Sequence, residues 1–348
     1  DSEIESNGAT YVNEEDIFAA YIMGSVDIDK LHIVAGVRYE RTDFSTSGMR
    51  VELIENEETD VEDVVNTVWE AERDYDHWLP SINARYAFSD KLQLRAAYTQ
   101  TISRPKFEDV AAFQIIESKT EEDDGVFVTE REAEVGNPEL QPYEAQNFDL
   151  SIEYYPGDIG VLSAGYFYKD IDNFVVYADV AGTEGWEDYD EAIQAINGES
   201  ASLHGLELSW VKAFNNGFIM STNATFTDSD ATTFLDGEKF ETQLPNQSDT
   251  IGNLTFGYEA NDFSLRLAMT YKSENFEEID GDMLRYEDEH AQLDFTAKYF
   301  INDDMQVYFN AININNETFY NYFDSRTNNA QFEEYGRTFE LGFTWQMR

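Results

Sequence analysis

Phe339-Glu340-Leu341-Gly342-Phe343-Thr344-Trp345-Gln346-Met347, near the C-terminal end of the sequence, alternates without a break. Its odd positions are large and apolar and its even positions small or polar, which is the two-residue period of a strand with one apolar face. The alternation recurs in Phe263-Leu265-Leu267-Met269-Tyr271, Leu293-Phe295-Ala297-Tyr299, Phe148-Leu150-Ile152-Tyr154 and Leu92-Leu94-Ala96-Tyr98. It recurs again in Ile82-Ala84-Tyr86-Phe88, Ile33-Ala35-Val37-Tyr39, Leu206-Leu208-Trp210 and Leu254-Phe256-Tyr258. Less regular strands are expected around 15–27, 159–172, 217–228 and 304–315, for about 13 in all.

The connections sort into two kinds that take turns along the chain. Asp27-Ile28-Asp29-Lys30, Ser89-Asp90-Lys91, Pro156-Gly157-Asp158, Asn215-Asn216-Gly217, Ala260-Asn261-Asp262 and Asn302-Asp303-Asp304 are tight hairpin signals. Between them lie long polar segments near 45–77, 102–144, 175–202, 229–247, 274–289 and 316–335. All tight turns therefore fall at one end of the sheet and all long loops at the other. Outer-membrane barrels sort their connections this way, with an apolar face toward lipid and a polar one toward the lumen. The expected fold is an all-β, antiparallel transmembrane β-barrel. An odd strand count does not close a bacterial single-chain barrel, so the 348 residues are expected to be the C-terminal part of a larger one.

Composition agrees. The chain holds 22 Lys+Arg against 71 Asp+Glu, a formal charge of −49. Such a charge suggests disorder, but 25 Phe, 21 Tyr and 5 Trp exclude it. A lipid-facing barrel also reconciles these aromatics with a mean hydropathy of −0.53. Nucleic acid is not an expected partner, because the negative surface repels phosphates. With no Cys there is neither disulfide scaffold nor thiolate chemistry. No G-x-S-x-G, P-loop, G-x-G-x-x-G or H-E-x-x-H pattern occurs, and no enzyme is expected.

Several phrases carry a family resemblance. Thr101-Ile102-Ser103-Arg104-Pro105 ends a strand, and a long loop later comes Gly136-Asn137-Pro138-Glu139-Leu140-Gln141-Pro142-Tyr143-Glu144. Ser163-Ala164-Gly165-Tyr166-Phe167-Tyr168-Lys169-Asp170-Ile171-Asp172-Asn173-Phe174, Leu203-His204-Gly205-Leu206-Glu207-Leu208 and Tyr335-Gly336-Arg337-Thr338-Phe339 follow in order. From about residue 15 to 347 the chain resembles the C-terminal barrel half of TonB-dependent outer-membrane receptors. The resemblance implies a barrel of roughly 22 strands filled by an N-terminal plug, absent from this chain, through which the TonB complex drives import of a scarce ligand. It implies a location in the bacterial outer membrane, among lipid and lipopolysaccharide, with the acidic loops outside. One departure is the end, Trp345-Gln346-Met347-Arg348, where the family usually has an aromatic residue.

Candidate binding residues come from loop chemistry. Arg104, Tyr143, Tyr177, Trp186, Tyr189, Tyr320, Tyr322 and Arg326 could grip or stack on a small-molecule ligand, although barrels also use aromatics as interfacial girdles. Arg38, Arg85, Arg95, Arg266 and Lys298 alternate onto the polar face; they either hold an anionic group or pair with lumenal acids such as Glu40, Asp149, Glu153, Glu207, Asp294 and Glu340. No cofactor is expected beyond a loop-bound Ca²⁺, for which Glu121, Glu122, Asp123, Asp124, Asp280 and Asp282 are candidate oxygen ligands; plain solvation is the favoured reading of these runs, because none keeps the spacing or ligand order of a dedicated calcium loop. His32, His77, His204 and His290 have no metal-ligand spacing. Haem receptors of the resembled family carry a ligand His between the Arg-Pro and Asn-Pro-x-Leu motifs; none lies between Pro105 and Asn137 here, so the resemblance implies a cargo other than haem. The expected function is energised import of an oligosaccharide-like ligand or a ferric chelate, with a passive porin or surface-binding adhesin barrel as the alternative.

Overall fold

The computed structural model describes residues 8, 10–123, 126–157, 159–235, 238–280 and 283–346. In chain order its strands begin with β1 (Val12–Ile28), β2 (Leu31–Asn56), β3 (Val61–Ser89), β4 (Leu92–Ser103), β5 (Gln114–Asp123), β6 (Val126–Val135) and β7 (Tyr143–Gly157). Next come β8 (Gly160–Asp172), β9 (Val175–Asp179), β10 (Glu191–Asn197), β11 (Ser200–Ala213), β12 (Phe218–Leu235), β13 (Glu238–Thr242), β14 (Thr250–Glu259) and β15 (Phe263–Lys272). The last are β16 (Asn275–Asp280), β17 (Met283–Glu287), β18 (His290–Asn302), β19 (Met305–Ile312), β20 (Phe319–Phe323), β21 (Asn329–Glu333) and β22 (Thr338–Trp345).

Thirteen of these form one antiparallel meander, β1-β2-β3-β4-β7-β8-β11-β12-β14-β15-β18-β19-β22. They are the strands expected from the alternating pattern. Among the described residues β1 pairs only with β2 and β22 only with β19, so the sheet is not closed. The tight turns lie together at one end; Asp29 and Gly217 take positive φ there, 53° and 90°, which suits Gly and is tolerated by Asp. On β22 the apolar set Phe339, Leu341, Phe343 and Trp345 is 63%, 75%, 56% and 58% exposed. An apolar face of that extent suits hydrocarbon rather than water. Among the described residues no helix is long and apolar enough to cross a membrane.

The long loops are more structured than their polarity suggests. Segment 45–77, expected as a loop, is strand: β2 and β3 run 26 and 29 residues and pair without a break from Leu31↔Tyr86 to Asn56↔Val61. The reason is tertiary. The outer part of β2 pairs in parallel with β5, from Arg50↔Gln114 to Asn56↔Thr120, so its charged residues sit in a two-sided ladder. Further pairings join β5 to β6, β6 to β10 in parallel, and β10 to β9. The result is a rim sheet, β3-β2-β5-β6-β10-β9, continuous with the wall. A separate sheet of β16, β17, β20 and β21 stands at the same end.

Candidate functional site

The site starts where β4 stops. Pro105 has no N–H to continue a ladder, and after it the chain folds across the rim, with Val110 N donating to Lys106 O at 3.3 Å. The return stretch is fastened by its own motif. Gly136 N donates to Phe113 O at 3.0 Å and Asn137 N to Asp109 O at 2.7 Å, while Asn137 Nδ2 reaches Ala195 O at 3.0 Å. Leu140 is buried with Phe44, Val110 and Ala195 in one apolar cluster. Burying these side chains removes apolar area from water and fastens the segment to the rim strands.

Two cavities flank this segment. The larger, of about 580 Å³, lies among the end of β4, strands β9 and β16 and segment 242–246; Arg104, Lys106, Tyr143, Tyr177, Thr233 and Phe276 are among the residues that line it. The smaller, about 450 Å³, sits on the rim sheet. Its wall carries Glu117, Glu132 and Glu191 in adjacent register across β5, β6 and β10, with Glu108, Asp109 and Glu134 nearby. Asp109 and Tyr177 line both. The Tyr177 hydroxyl donates to Asp109 Oδ1 at 2.5 Å, and burial together with that carboxylate holds the phenol far above its ordinary pKa.

Each cation around the larger cavity already has a carboxylate partner. Arg104 Nη2 donates to Glu40 at 2.8 Å and to Thr42 Oγ1 at 3.0 Å, and its Nε lies 3.5 Å from Glu15. Lys106 pairs with Glu108 at 3.2 Å. Glu277 and Glu278 both meet Arg285, at 3.1 and 3.0 Å, and Glu277 accepts a bond from Asn321 Nδ2 at 2.5 Å. Burial nevertheless pushes the Glu277 carboxyl above the usual range, against the pull of Arg285.

Of the residues singled out in the sequence, Arg104, Tyr143 and Tyr177 come together at this cavity. The others stand elsewhere. Trp186 and Tyr189 form an edge-on pair at 4.9 Å that packs against the buried cluster of Ile116, Ala133, Val135 and Ala192, and the Arg131 guanidinium lies 4.4 Å over the Tyr189 ring. Tyr320, Tyr322 and Arg326 belong to the separate sheet. There Tyr322 stacks on Tyr286 at 5.5 Å, Tyr320 donates to the Arg326 carbonyl at 2.7 Å, and Arg326 pairs with Glu274 and Asp288 at 3.1 and 2.6 Å.

On the wall Arg38 meets Glu40, Arg95 meets Glu153 and Arg266 meets Glu259, at 2.5, 2.9 and 2.7 Å. Arg85 sits opposite Arg95, and Lys298 opposite Tyr308. None of these five lines either cavity.

Glu121 pairs with Lys119 at 2.6 Å, and the Glu122 backbone N–H reaches Glu57 at 3.4 Å. Asp124 and Asp282 lie outside the described residues, and Asp123 and Asp280 are described in backbone only. Among the described residues no three His, Asp or Glu side chains converge as metal ligands. Thr233, Asp109 and Phe276 were not foreseen as site residues, because only the folding of distant segments onto one another brings them to the cavity.

Comparison with known proteins accords with this architecture. The sequence profile described as "TonB dependent receptor-like, beta-barrel" matches residues 2–314. The chain belongs to the TonB-dependent receptor β-barrel family. That is an outer-membrane receptor family rather than an enzymatic one. No match was found among curated proteins.

Among solved structures the receptor barrel is similar to the ferric-catecholate import receptor Fiu of E. coli K12, with a TM-score of 0.69 at 15% identity, covering 97% of this chain and 46% of that one. It is also similar to the ferric yersiniabactin uptake receptor FyuA of Yersinia pestis, with a TM-score of 0.66 at 14% identity, covering 97% and 46%. The hemophore receptor HasR of Serratia marcescens matches with a TM-score of 0.66 at 14% identity, covering 96% and 51%. The chain thus spans about half the length of these structures, and likeness at such identity speaks for the fold.

Proposed function

We propose that this chain is the C-terminal part of the barrel of an outer-membrane import receptor. It captures a scarce extracellular ligand at its rim and passes it to the periplasm with energy from the TonB complex, acting through an N-terminal plug. The observation that carries the reading is the rim itself. Every long connection is gathered at one end of a family-type meander, folded into ordered sheets and hollowed by two cavities beside the barrel mouth. A passive pore needs no such structured, cavity-bearing rim. Similar structures are named as receptors for iron chelates or a haem carrier, and both a ferric chelate and an oligosaccharide-like ligand fit the import reading.

In this mechanism the rim hairpins hold the ligand, and binding raises the occupancy of the state open to TonB. The lipid face anchors the barrel among lipid and lipopolysaccharide, with the acidic rim outside. Uptake by cells that produce the full-length receptor, with and without the inner-membrane energy source, tests the reading. Loss of uptake without that source supports it. Unchanged uptake, or steady conductance of the purified receptor in planar bilayers, replaces it with a passive pore.

A further inference from the structure

We infer that the larger cavity takes an uncharged, ring-bearing polyhydroxy ligand of oligosaccharide type; this deepens the import reading and rests on it. Its volume of about 580 Å³ falls among those of small-ligand pockets, roughly 300–1,000 Å³. Tyr143 and Tyr177 contribute accessible rings to the wall, Phe174 and Phe276 line it as buried side chains, and Leu244 and Pro245 add apolar surface. Flat apolar rings suit the C–H faces of pyranose units, where dispersion and area burial act without charge.

Polar recognition comes from a separate observation. Thr233 is 1% exposed and lines the cavity, and among the described residues its Oγ1 has no hydrogen-bond partner. A buried hydroxyl left without a partner is costly. A ligand hydroxyl can both donate to it and accept from it. Thr242 and Asn246 line the same cavity and bring further hydrogen-bonding groups.

The charges argue against an ionised guest of either sign. Arg104 is held by Glu40 and Glu15, Lys106 by Glu108, Glu277 and Glu278 by Arg285, and Asp109 by the Tyr177 hydroxyl. An anionic chelate would have to displace one of these carboxylates from its cation, in the field of a chain with a formal charge of −49. A cationic guest would likewise compete with Arg285. An uncharged one leaves every pair intact and avoids the desolvation cost of a buried charge.

Calorimetry on the full-length receptor in detergent tests this, with maltotriose, xylotriose and chitotriose as uncharged probes and ferric enterobactin as the anionic one, each at low and high salt. At least one trisaccharide should bind with an affinity indifferent to salt. Thr233→Val should weaken that binding about ten-fold, with Thr233→Ser restoring it. Val176→Trp, which fills the cavity from β9, should abolish it in a receptor that retains its folded gel mobility. Absence of trisaccharide binding, or binding that neither Thr233→Val nor Val176→Trp alters, overturns the inference. Tight, salt-sensitive binding of ferric enterobactin alone would do so while leaving the import reading in place; failure of that reading would appear instead as uptake independent of the energy source.

Discussion

The Tyr177 hydroxyl and the Asp109 carboxylate, 2.5 Å apart, form the partition between an acidic cavity and an amphipathic one. Tyr177 belongs to β9 and Asp109 to the segment that crosses the rim after Arg104-Pro105, so this bond ties two hairpins that the barrel wall alone would leave independent. Asp109 is 6% exposed, and the phenol is its hydrogen-bonded cover.

Tyr177→Phe keeps the ring and removes the donor. The carboxylate then loses a charge-assisted bond in a nearly dry place, which should cost about 1–3 kcal/mol of local stability. Faster amide hydrogen exchange across 106–111 and β9, with exchange in β14 and β15 unchanged, is the expected result. Uniform exchange in both proteins would show that the partition does not hold the rim together.

Gly136 shows why the motif before β7 needs glycine. A Cβ there would meet the Ala111 carbonyl oxygen and press on the Phe113 ring, and the first of these contacts is backbone that cannot swing aside. Gly136→Ala should therefore push the 109–113 segment off its seat, disturb the Asn137 bonds and destabilise the rim by about 1–3 kcal/mol. Thermal unfolding followed by near-ultraviolet dichroism should register it, whereas Gly24→Ala, where a Cβ meets nothing within 4 Å, should be close to neutral.

Tyr322 sets a pH limit on the separate sheet. Burial, and its bond to the Glu274 carboxylate at 3.1 Å, push the phenol from its ordinary 10.0 up to about 12. A raised pKa means that the folded state keeps a proton the unfolded chain gives up. Its stabilisation is whole below pH 10 and fades as pH rises toward 12; the amount is on the order of 2 kcal/mol. Tyr322→Phe should abolish this alkaline loss and remove one late-titrating tyrosine from the tyrosinate absorbance curve. An unchanged curve would contradict the assignment.

Leu341 and Glu340 test which face of the wall meets lipid. Leu341 points outward and is 75% exposed, whereas Glu340 accepts hydrogen bonds from Asn310 Nδ2 at 2.8 Å and the Tyr308 hydroxyl at 3.2 Å. Leu341→Arg should cost about 2–4 kcal/mol if the position lies at mid-membrane and lower the folded, heat-modifiable fraction after insertion into vesicles. Glu340→Gln should fold and insert normally. The opposite ranking would reverse the two faces.

The thirteen wall strands could be read from the chain because the pleat is a local rule. Phe339-Leu341-Phe343-Trp345 alternates with Glu340-Gly342-Thr344 whatever the rest of the molecule does, and a lipid boundary keeps that alternation clean. The sorting of tight turns from long connections rests equally on nearby residues such as Asp29 and Gly217. The outer part of β2 was less legible: its Glu-rich stretch has the composition of a solvated loop, and it is strand because β5 arrives from some sixty positions away to pair with it.

The candidate site was legible only in part, and for the same reason. Arg104, Tyr143 and Tyr177 were marked by motif and residue chemistry, but their partners Asp109, Thr233 and Phe276 carry no local signal. Trp186, Tyr189, Tyr320 and Tyr322 have the same chemistry and stand apart from the cavity. The alternating, lipid-facing wall and the end at which its loops gather follow from contacts between near neighbours in the chain and so were readable residue by residue. Which loop residues share a cavity, and which cations are paired there, depends on contacts between distant segments that nothing but the folded rim brings together.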